Sequence, residues 1–363
     1  MNLELLHETL DARGEPGFRA GQVWRWVARG ADGYAAMTNL PRALREALER
    51  EVPFSSLEVR SEARARDGTV KALFATADGR PLEAVLMRYG NPPTRGRRSI
   101  CLSSQSGCPL TCTFCATGAM RFARNLSTSE ILDQALHFRR VEPVDHCVFM
   151  GMGEPLLNLD AVLAACARLP DLGIAHRRTA ISTVGWIPGI ERLTECELPL
   201  RLALSLHAAD EALRSELMPV NERYPLRDVI EACRAFYARK RRRVFVEYVM
   251  LAGVNDRYEQ AVALAKLLAP ARQGSTVAPG ARASSEAAGA RTAAHSESAG
   301  DPLMFKVNLI PYNPTDSPYK GSSREAIAAF KAVLEERGVQ ATVRLTRGRD
   351  IDAACGQLAA SAV

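Results

Sequence analysis

Three cysteines lie close together in the segment Cys108-Pro-Leu-Thr-Cys112-Thr-Phe-Cys115, directly after the apolar run Ser99-Ile-Cys-Leu102. Cysteine thiolates are ligands for iron, and three of them in one tight loop can hold three irons of a cubane [4Fe–4S] cluster. The fourth iron then has no ligand from the loop and can bind another molecule. The spacing therefore predicts a cluster that takes part in chemistry.

Other interpretations of these cysteines find less support in the sequence. A structural zinc site normally uses a second Cys or His pair at matched spacing, and none follows. A ferredoxin would use a fourth cysteine, in a longer run that ends in Cys-Pro. The odd count of nine cysteines and the lack of an apolar signal segment indicate a reducing, cytoplasmic location without disulfides of structural type. Zinc and inert thiols remain the alternatives.

Charge and hydropathy limit the partners of the chain. Its 363 residues include 47 basic and 41 acidic side chains, which gives a net charge of +6. No run of eighteen apolar residues occurs, so we expect no membrane partner. Three basic clusters could line a phosphate backbone, or could be ordinary solvated surface. They are Arg95-Gly-Arg-Arg98, Arg177-Arg178 and Arg239-Lys-Arg-Arg-Arg243.

The elements that must position the cysteines fall into two sections. Residues 1 to about 50 carry apolar residues at helical spacing, and two strands at 70–75 and 82–87 follow, joined through Asp78-Gly79, a hairpin signal. We predict a small N-terminal α+β accessory domain over residues 1–92 and a second domain over 93–358. A low-complexity insertion at 271–302, predicted to be disordered, and a short tail at 359–363 complete the chain.

Residues 93–358 alternate short apolar runs with amphipathic helices. The predicted strands are 100–102, 147–150, 180–182, 202–206, 244–250 and 307–310, with helices such as 128–140, 226–239 and 259–268 between them. Six βα repeats predict an α/β fold with a parallel sheet that curls into a partial (β/α)6 TIM-like barrel. Reactive groups of such barrels lie at the carboxyl ends of the strands.

Unusual polar segments stand at those strand ends. The cysteine triplet follows the first strand, and Gly151-Met-Gly-Glu-Pro155 follows the second. Ser182 ends the third strand, Ser205-Leu-His207 ends the fourth, and Asn313 follows the sixth. These residues could cap helices or, like His207, be structural, but their joint position at one mouth favours ligand binding.

The cysteine spacing resembles that of the radical S-adenosylmethionine (SAM) superfamily, and further segments resemble the RlmN/Cfr family of RNA adenosine methyltransferases. The resemblance runs from about residue 15 to 358, and the segment at 350–358 is highly specific. The segments that carry it are Cys101-Leu-Ser-Ser-Gln-Ser-Gly-Cys108, Phe149-Met-Gly-Met-Gly-Glu-Pro-Leu-Leu-Asn158, Leu204-Ser-Leu-His-Ala208, Leu217-Met-Pro-Val-Asn221, Glu247-Tyr-Val-Met-Leu251, Asn308-Leu-Ile-Pro-Tyr-Asn-Pro314 and Asp350-Ile-Asp-Ala-Ala-Cys-Gly-Gln-Leu358.

The resemblance implies a radical SAM core and roles for individual residues. The cluster ligands would be Cys108, Cys112 and Cys115, and the open iron would chelate SAM, whose reductive cleavage gives a 5′-deoxyadenosyl radical. Positions that match SAM contacts are Gly153, Glu154, Ser182, Ser205, Leu206, His207 and Asn313. Cys355 would carry the methyl group, Cys101 would resolve the RNA adduct through a transient disulfide with Cys355, and Glu83 would accept a proton. The remaining cysteines, Cys147, Cys166, Cys196 and Cys233, are expected to be small buried hydrophobes.

The partners implied by the resemblance are RNA, as 23S rRNA, tRNA or both, and an electron donor such as flavodoxin or ferredoxin, for a monomeric enzyme. Gly153-Glu-Pro155 is closer to the RlmN pattern and Ser182-Thr-Val-Gly185 to the Cfr pattern, so methylation at adenine C2 is the prediction and C8 the alternative. Two other hypotheses stay open: a radical SAM enzyme with a non-RNA substrate, such as a cofactor or a protein glycyl radical, and a non-catalytic Fe–S protein that binds RNA or senses metal.

Overall fold

The computed structural model describes residues 1–90, 96–269 and 304–359. The predicted insertion at 271–302 and all but the first residue of the predicted tail lie outside the described residues. The predicted domain boundary at residue 92 also lies outside them, so it stays a prediction.

The front section begins with three helices, as the periodicity predicted. They are α1 (Leu3–Ala12), α2 (Phe18–Ala28) and α3 (Arg42–Glu51). Asn2 caps α1 by accepting hydrogen bonds from the backbone N–H groups of Glu4 and Leu5, which satisfies donors that the helix itself leaves unpaired. The indole N–H of Trp24 donates to Asp171 over 2.7 Å. This bond joins the front helices to the barrel section.

Three antiparallel strands follow the front helices. They are β1 (Leu57–Arg64), β2 (Val70–Thr76) and β3 (Pro81–Arg88). The predicted hairpin between β2 and β3 is confirmed, and Gly79 has the positive φ of 76° that a tight turn favours. Strand β1 was not predicted. It is an edge strand with most side chains exposed, so it lacks the apolar alternation that marks a half-buried strand.

Strand β3 pairs antiparallel with β4 (Arg98–Cys101), so the front strands extend the sheet of the barrel. A small two-stranded ribbon of β5 (Gln105–Ser106) and β6 (Arg124–Asn125) comes next. The ribbon closes the loop that contains the cysteine triplet and the short helix α4 (Ala116–Ala119). Gly107 opens this loop with φ 75°, and a Cβ there would lie 2.4 Å from the Arg121 carbonyl oxygen. The two ends of the loop are therefore packed directly against each other.

The parallel part of the sheet confirms the predicted partial barrel. Its order is β4-β7-β8-β9-β10-β11-β12, with β7 (His146–Phe149), β8 (Thr179–Thr183), β9 (Arg201–Ser205), β10 (Val244–Met250), β11 (Phe305–Pro311) and β12 (Gln340–Val343). The six predicted strands are present, and β12 adds a seventh that was not predicted. Like β1, it is an edge strand, and it is only four residues long.

Helices cover the outer side of the sheet. They are α5 (Thr128–Val141), α6 (Leu159–Arg168), α7 (Ile187–Glu195), α8 (Glu211–Leu217), α9 (Leu226–Lys240), α10 (Tyr258–Leu268) and α11 (Arg324–Glu336). The three helices that were predicted here by range are confirmed within one residue at each end. Helix α5 begins with a capping box of Ser127 and Glu130. In the described ranges, no helix is both long and apolar enough to cross a membrane.

Candidate active site

The loops at the carboxyl ends of the parallel strands converge on one cavity, as predicted. Every loop that the sequence singled out reaches it. The predicted site residues that line this first cavity are Cys108, Cys112, Cys115, Gly153, Glu154, Ser182, Ser205, His207 and Cys355. The first cavity thus brings together predicted residues from four strand ends and from the C-terminal segment, and the loop after β11 reaches it through Tyr312.

Close backbone contacts hold the cysteine loop in one conformation. The Cys115 N–H donates to the Cys112 carbonyl over 3.2 Å, and the Gly118 N–H donates to the Cys115 carbonyl over 3.0 Å. The Thr113 N–H donates to the Leu217 carbonyl over 3.0 Å, which attaches the loop to the end of α8. A Cβ on Gly118 would lie 2.6 Å from the Cys112 carbonyl oxygen. Only glycine fits at this position without a shift of the loop.

The three cysteines of the loop are buried thiols whose ionisation the surroundings disfavour. Burial raises the pKa of the Cys108 thiol to about 12 and also raises the pKa values of Cys112 and Cys115, because a thiolate loses solvation in this environment. Such thiols become thiolates when a bound metal supplies positive charge. No three His, Cys, Asp or Glu side chains of the described residues could hold one metal ion. In a cubane, each thiolate binds a different iron, so the residues fit a cluster better than structural zinc.

Glu154 places a buried carboxylate in the wall of the first cavity. Its oxygens accept hydrogen bonds from the Leu156 and Val184 N–H groups, each over 3.0 Å. Burial raises the pKa of Glu154 to about 7. A Cβ on Gly153, which has φ 93°, would lie 2.5 Å from the Gln105 side chain. The glycine therefore lets the Glu154 loop pack onto the ribbon and holds the carboxylate at the cavity.

Ser182 and His207 line the next two strand ends of the cavity. The Ser182 hydroxyl lies 3.3 Å from that of Ser205. His207 has φ 60°, a strained conformation for a non-glycine residue. Its Nδ1 accepts a hydrogen bond from the Val249 N–H over 3.0 Å, and burial lowers its pKa to about 3. The Asn255 side chain donates to the His207 carbonyl over 2.9 Å. His207 is thus a neutral, rigidly held wall of the cavity.

The C-terminal segment brings Cys355 to the barrel mouth. The Ala116 N–H of the cysteine loop donates to the Gly356 carbonyl over 2.8 Å, and the Thr117 hydroxyl donates to the Leu358 carbonyl. The Asn313 side chain donates to the Cys355 carbonyl over 3.1 Å. The segment is therefore attached on two sides, to the cysteine loop and to the loop after β11.

A second cavity adjoins the first and contains Cys101. Cys355 lines both cavities, whereas Cys101 and Asn313 line only the second of these two. Burial raises the pKa of Cys101 to about 12, and the neighbouring Cys355 adds to the shift. All nine cysteines lie in the described ranges and each is a free thiol. The disulfide that the resemblance implied is therefore not present in this structure.

Two predicted residues do not line either cavity. Leu206 is fully buried, and only its backbone takes part at the site, where its carbonyl accepts from Arg214 over 3.3 Å. The Glu83 carboxylate is also buried, and it pairs with Lys71 over 2.9 Å and accepts from the Ala359 N–H over 3.0 Å. Glu83 therefore contacts the C-terminal segment just beyond Leu358.

Arg344 was missed by the sequence reasoning. It lines both cavities, pairs with the buried Glu247 over 3.2 Å and donates to the Met150 sulfur over 3.3 Å. The neighbouring Cys355 raises the pKa of Arg344, so the guanidinium is held in its charged form. A signal did exist: Glu247 is the single charged residue in the strand sequence Val-Phe-Val-Glu-Tyr-Val-Met, and a buried carboxylate needs a cation.

Arg214 was also missed. It is fully buried and donates to the Val184 carbonyl and the Asn221 side chain, each over 2.5 Å. Its third acceptor is the Leu206 carbonyl, so one guanidinium connects the loops after β8 and β9. Nothing in the sequence around Arg214 distinguishes it from surface arginines.

The cysteines without a predicted role are mostly buried. Cys147, Cys166 and Cys233 lie in the core as expected. The expectation was wrong for Cys196, which is half-buried, because it follows the last residue of α7 at the surface of the barrel.

Comparison with known proteins places this site in a family. The model described as the radical SAM superfamily matches residues 102–265, and the model of the ribosomal RNA large subunit methyltransferase N-terminal domain matches residues 1–53. A relative in Thermus thermophilus, named a probable dual-specificity RNA methyltransferase RlmN, is 42% identical, and the alignment covers 98% of this chain and 92% of that protein. The dual-specificity RNA methyltransferase RlmN of Anaeromyxobacter is 41% identical, with 99% and 89% covered.

A solved structure agrees with this assignment. The radical SAM methyltransferase from Sphaerobacter thermophilus superposes with a TM-score of 0.84 at 39% identity, over 99% of this chain and 98% of that one. Its similarity extends over the front section as well as the barrel. The chain therefore belongs to the RlmN family of radical SAM RNA methyltransferases.

Proposed function

We propose that this chain methylates C2 of adenosines in RNA, with both 23S rRNA and tRNA as substrates, and that Cys355 carries the methyl group on its way to the base. The observation that supports this most directly is the position of Cys355, which lines the first cavity with the three cluster cysteines and the second with Cys101. One thiol is shared by the two cavities, as a carrier between two chemical steps requires.

A carrier is needed because the amidine carbons of adenine are electrophilic and cannot attack a sulfonium directly. Cys355, as the thiolate, would displace the methyl group of one SAM molecule, which gives S-methylcysteine and S-adenosylhomocysteine. The guanidinium of Arg344 lies beside the Cys355 sulfur and would offset the negative charge of the nucleophile.

The first cavity is suited to hold SAM beside the cluster cysteines. Glu154 would accept from the SAM ammonium, and the Ser182 and Ser205 hydroxyls would donate to its polar groups. His207, held neutral, would form an uncharged wall there. A cluster on Cys108, Cys112 and Cys115, when bound, would supply the electron that makes radical chemistry at the S-methyl group possible.

Release of the RNA is assigned to Cys101 in this proposal. Its sulfur, as the thiolate, would attack the Cys355 sulfur, so that an S–S bond forms and the bond from sulfur to the base-bound carbon breaks. The electron pair of that bond stays on the carbon, which becomes the methyl group when it takes up a proton. A thiol reductant would then reduce the disulfide. Cys101 must first lose its proton, which burial opposes. For Glu83 to act as proton acceptor, its contacts with Lys71 and Ala359 would have to separate.

The test is nucleoside mass spectrometry of RNA treated with the anaerobically reconstituted enzyme, SAM and a reductant. We expect C2-methyladenosine in both 23S rRNA and tRNA, and a methyl group on the Cys355 peptide. Cys355→Ala should abolish the product, whereas the matched variant Cys196→Ala should keep it. Product from Cys355→Ala would contradict the carrier role, and C8-methyladenosine would contradict the regiochemistry. A wild-type enzyme that makes no methyladenosine would contradict the whole proposal.

A further inference from the structure

Arginines stand at the amino ends of several neighbouring barrel strands. Arg97 precedes β4, Arg178 precedes β8, Arg201 opens β9 and Arg242 lies two residues before β10. Because these strands are parallel and lie in one run of the sheet, their amino ends share one edge. We call these four residues the amino-edge arginines. Arg178, Arg201 and Arg242 lie at the end of the barrel opposite the cavities, and Arg97 stacks on Tyr89, a residue that lines the second cavity.

The amino-edge arginines are close enough to repel one another. The pKa of Arg201 is lowered by burial and then by the charges of Arg242, Arg178 and Arg97. The charges of Arg97 and Arg178 also lower the pKa of His146, the first residue of β7, after the larger effect of its burial. One arginine from each of the three basic clusters found in the sequence therefore lies near Arg201.

These charges are not neutralised within the part of the chain that the structure describes. None of the four amino-edge arginines forms an ion pair with an Asp or Glu there, whereas the adjacent Arg98 pairs with Glu142 over 2.8 Å. Arg97 lies over the Tyr89 ring at 4.0 Å, which fixes the guanidinium plane and leaves its N–H groups available. The nearest acid at this edge, Asp145, is engaged by His146 and by the Arg98 N–H. Four cations without an ion-paired acid among the described residues form a site for an anion.

We propose that the amino-edge arginines bind backbone phosphates of the RNA substrate, at a place remote from the adenosine that is methylated. The inference rests on the proposed function. Guanidinium groups match phosphate oxygens with paired N–H donors. Arg201 and Ser205 are four residues apart on β9, or roughly 13 Å along a strand. RNA at the mouth must therefore extend well beyond its target loop to reach the edge.

The test compares RNA binding by two triple variants that lose the same charge. The first is Arg178→Gln/Arg201→Gln/Arg242→Gln, and the matched control is Arg192→Gln/Arg234→Gln/Lys331→Gln on the outer helices. For full-length tRNA, the slope of log K against log salt should become shallower by about 2 to 3 in the first variant, because each lost phosphate contact contributes about 0.7 to 0.9. The control should match the wild type.

The length of the RNA gives a second, independent comparison. A seven-nucleotide RNA that contains only the target adenosine and its neighbours should bind the first variant and the wild type with the same slope. If the triple variant does not melt at the wild-type temperature, the single variant Arg178→Gln replaces it, with an expected change in slope of about 1 for tRNA.

A tRNA slope that is the same in the first variant and the wild type would overturn the proposal. If a thermal stabilisation by inorganic pyrophosphate is then lost in the first variant, the arginines hold a small anion instead of RNA. Failure of the proposed function is distinguishable, because the wild type would then methylate neither RNA. Failure of this inference alone leaves methylation by the wild type intact.

Discussion

Asn255 connects the stability of the barrel to the geometry of the first cavity. The side chain is fully buried and makes three hydrogen bonds: from the Leu251 N–H over 2.8 Å, to the His207 carbonyl over 2.9 Å and to the Val249 carbonyl over 2.7 Å. It therefore holds His207 in its positive-φ conformation at the cavity. We expect Asn255→Ala to destabilise the protein and to weaken SAM binding together.

The magnitude follows from the three groups that lose their partner. Each buried group left without a hydrogen bond costs about 1 to 3 kcal/mol, so the three groups together would cost about 3 to 9 kcal/mol of unfolding free energy in Asn255→Ala. The variant no longer desolvates the Asn255 amide on folding, which offsets part of this cost, so we expect a loss of about 3 to 5 kcal/mol. With a urea m-value of about 3 kcal/mol/M, the unfolding midpoint should fall by about 1 M or more.

Urea unfolding followed by circular dichroism measures the loss of stability, and equilibrium binding measures the loss of SAM affinity. The control is Asn39→Ala, which removes one exposed acceptor from the Trp26 indole and should change stability by less than about 0.5 kcal/mol. A midpoint that falls no further in Asn255→Ala than in the control would refute the reasoning. So would unchanged SAM affinity in a destabilised Asn255→Ala protein, since His207 would then not depend on Asn255.

Three further predictions concern the cysteine loop, a buried histidine and a buried ion pair. Gly118→Ala forces the cysteine loop to shift, so the iron content after anaerobic reconstitution should fall. The control Gly21→Ala, with nothing within 4 Å of its new Cβ, should bind as much iron as the wild type. Equal iron content in the two variants would contradict the argument. The pKa of His207 is about 3 in the folded protein and 6.5 in the unfolded chain. The stability that neutral His207 supports is therefore complete above pH 6.5, and it falls by about 1.4 kcal/mol for each pH unit between pH 6.5 and pH 3. His207→Gln should lack this part of the acid dependence, and identical pH profiles of the variant and the wild type would exclude it. Arg344→Met leaves Glu247 buried without its cation and should cost about 3 to 5 kcal/mol of unfolding free energy. The double variant Arg344→Met/Glu247→Met should largely restore this stability. No recovery in the double variant would show that the two residues are not coupled.

Much of the fold could be predicted from local pattern. The six inner strands alternate with amphipathic helices, and burial on both sides of a parallel sheet requires the apolar runs by which they were found. The two edge strands could not be found in this way. Strand β1 is mostly exposed and β12 is only four residues long, so neither needs a continuous apolar pattern.

The site was predictable in part. The cysteine triplet and the polar residues at strand ends are read from spacing, because the carboxyl ends of parallel strands must meet at one edge. Arg214 and Arg344 were not predictable, since the sequence alone does not distinguish a buried arginine from a surface arginine. The exclusion of the Leu206 side chain from the cavity was also invisible, because it depends on which way one residue of a loop turns.

The sequence by itself determined the donor atoms of this protein: three thiols in one loop, and the order of strands that presents them at a barrel mouth. Only the tertiary structure decided that Cys355, more than two hundred residues later, lies between the two cavities, with Cys101 in one and the triplet in the other. It also decided that arginines from separate clusters meet around Arg201 without acidic partners among the described residues. Both outcomes depend on contacts between distant parts of the chain, and local spacing carries no information about such contacts.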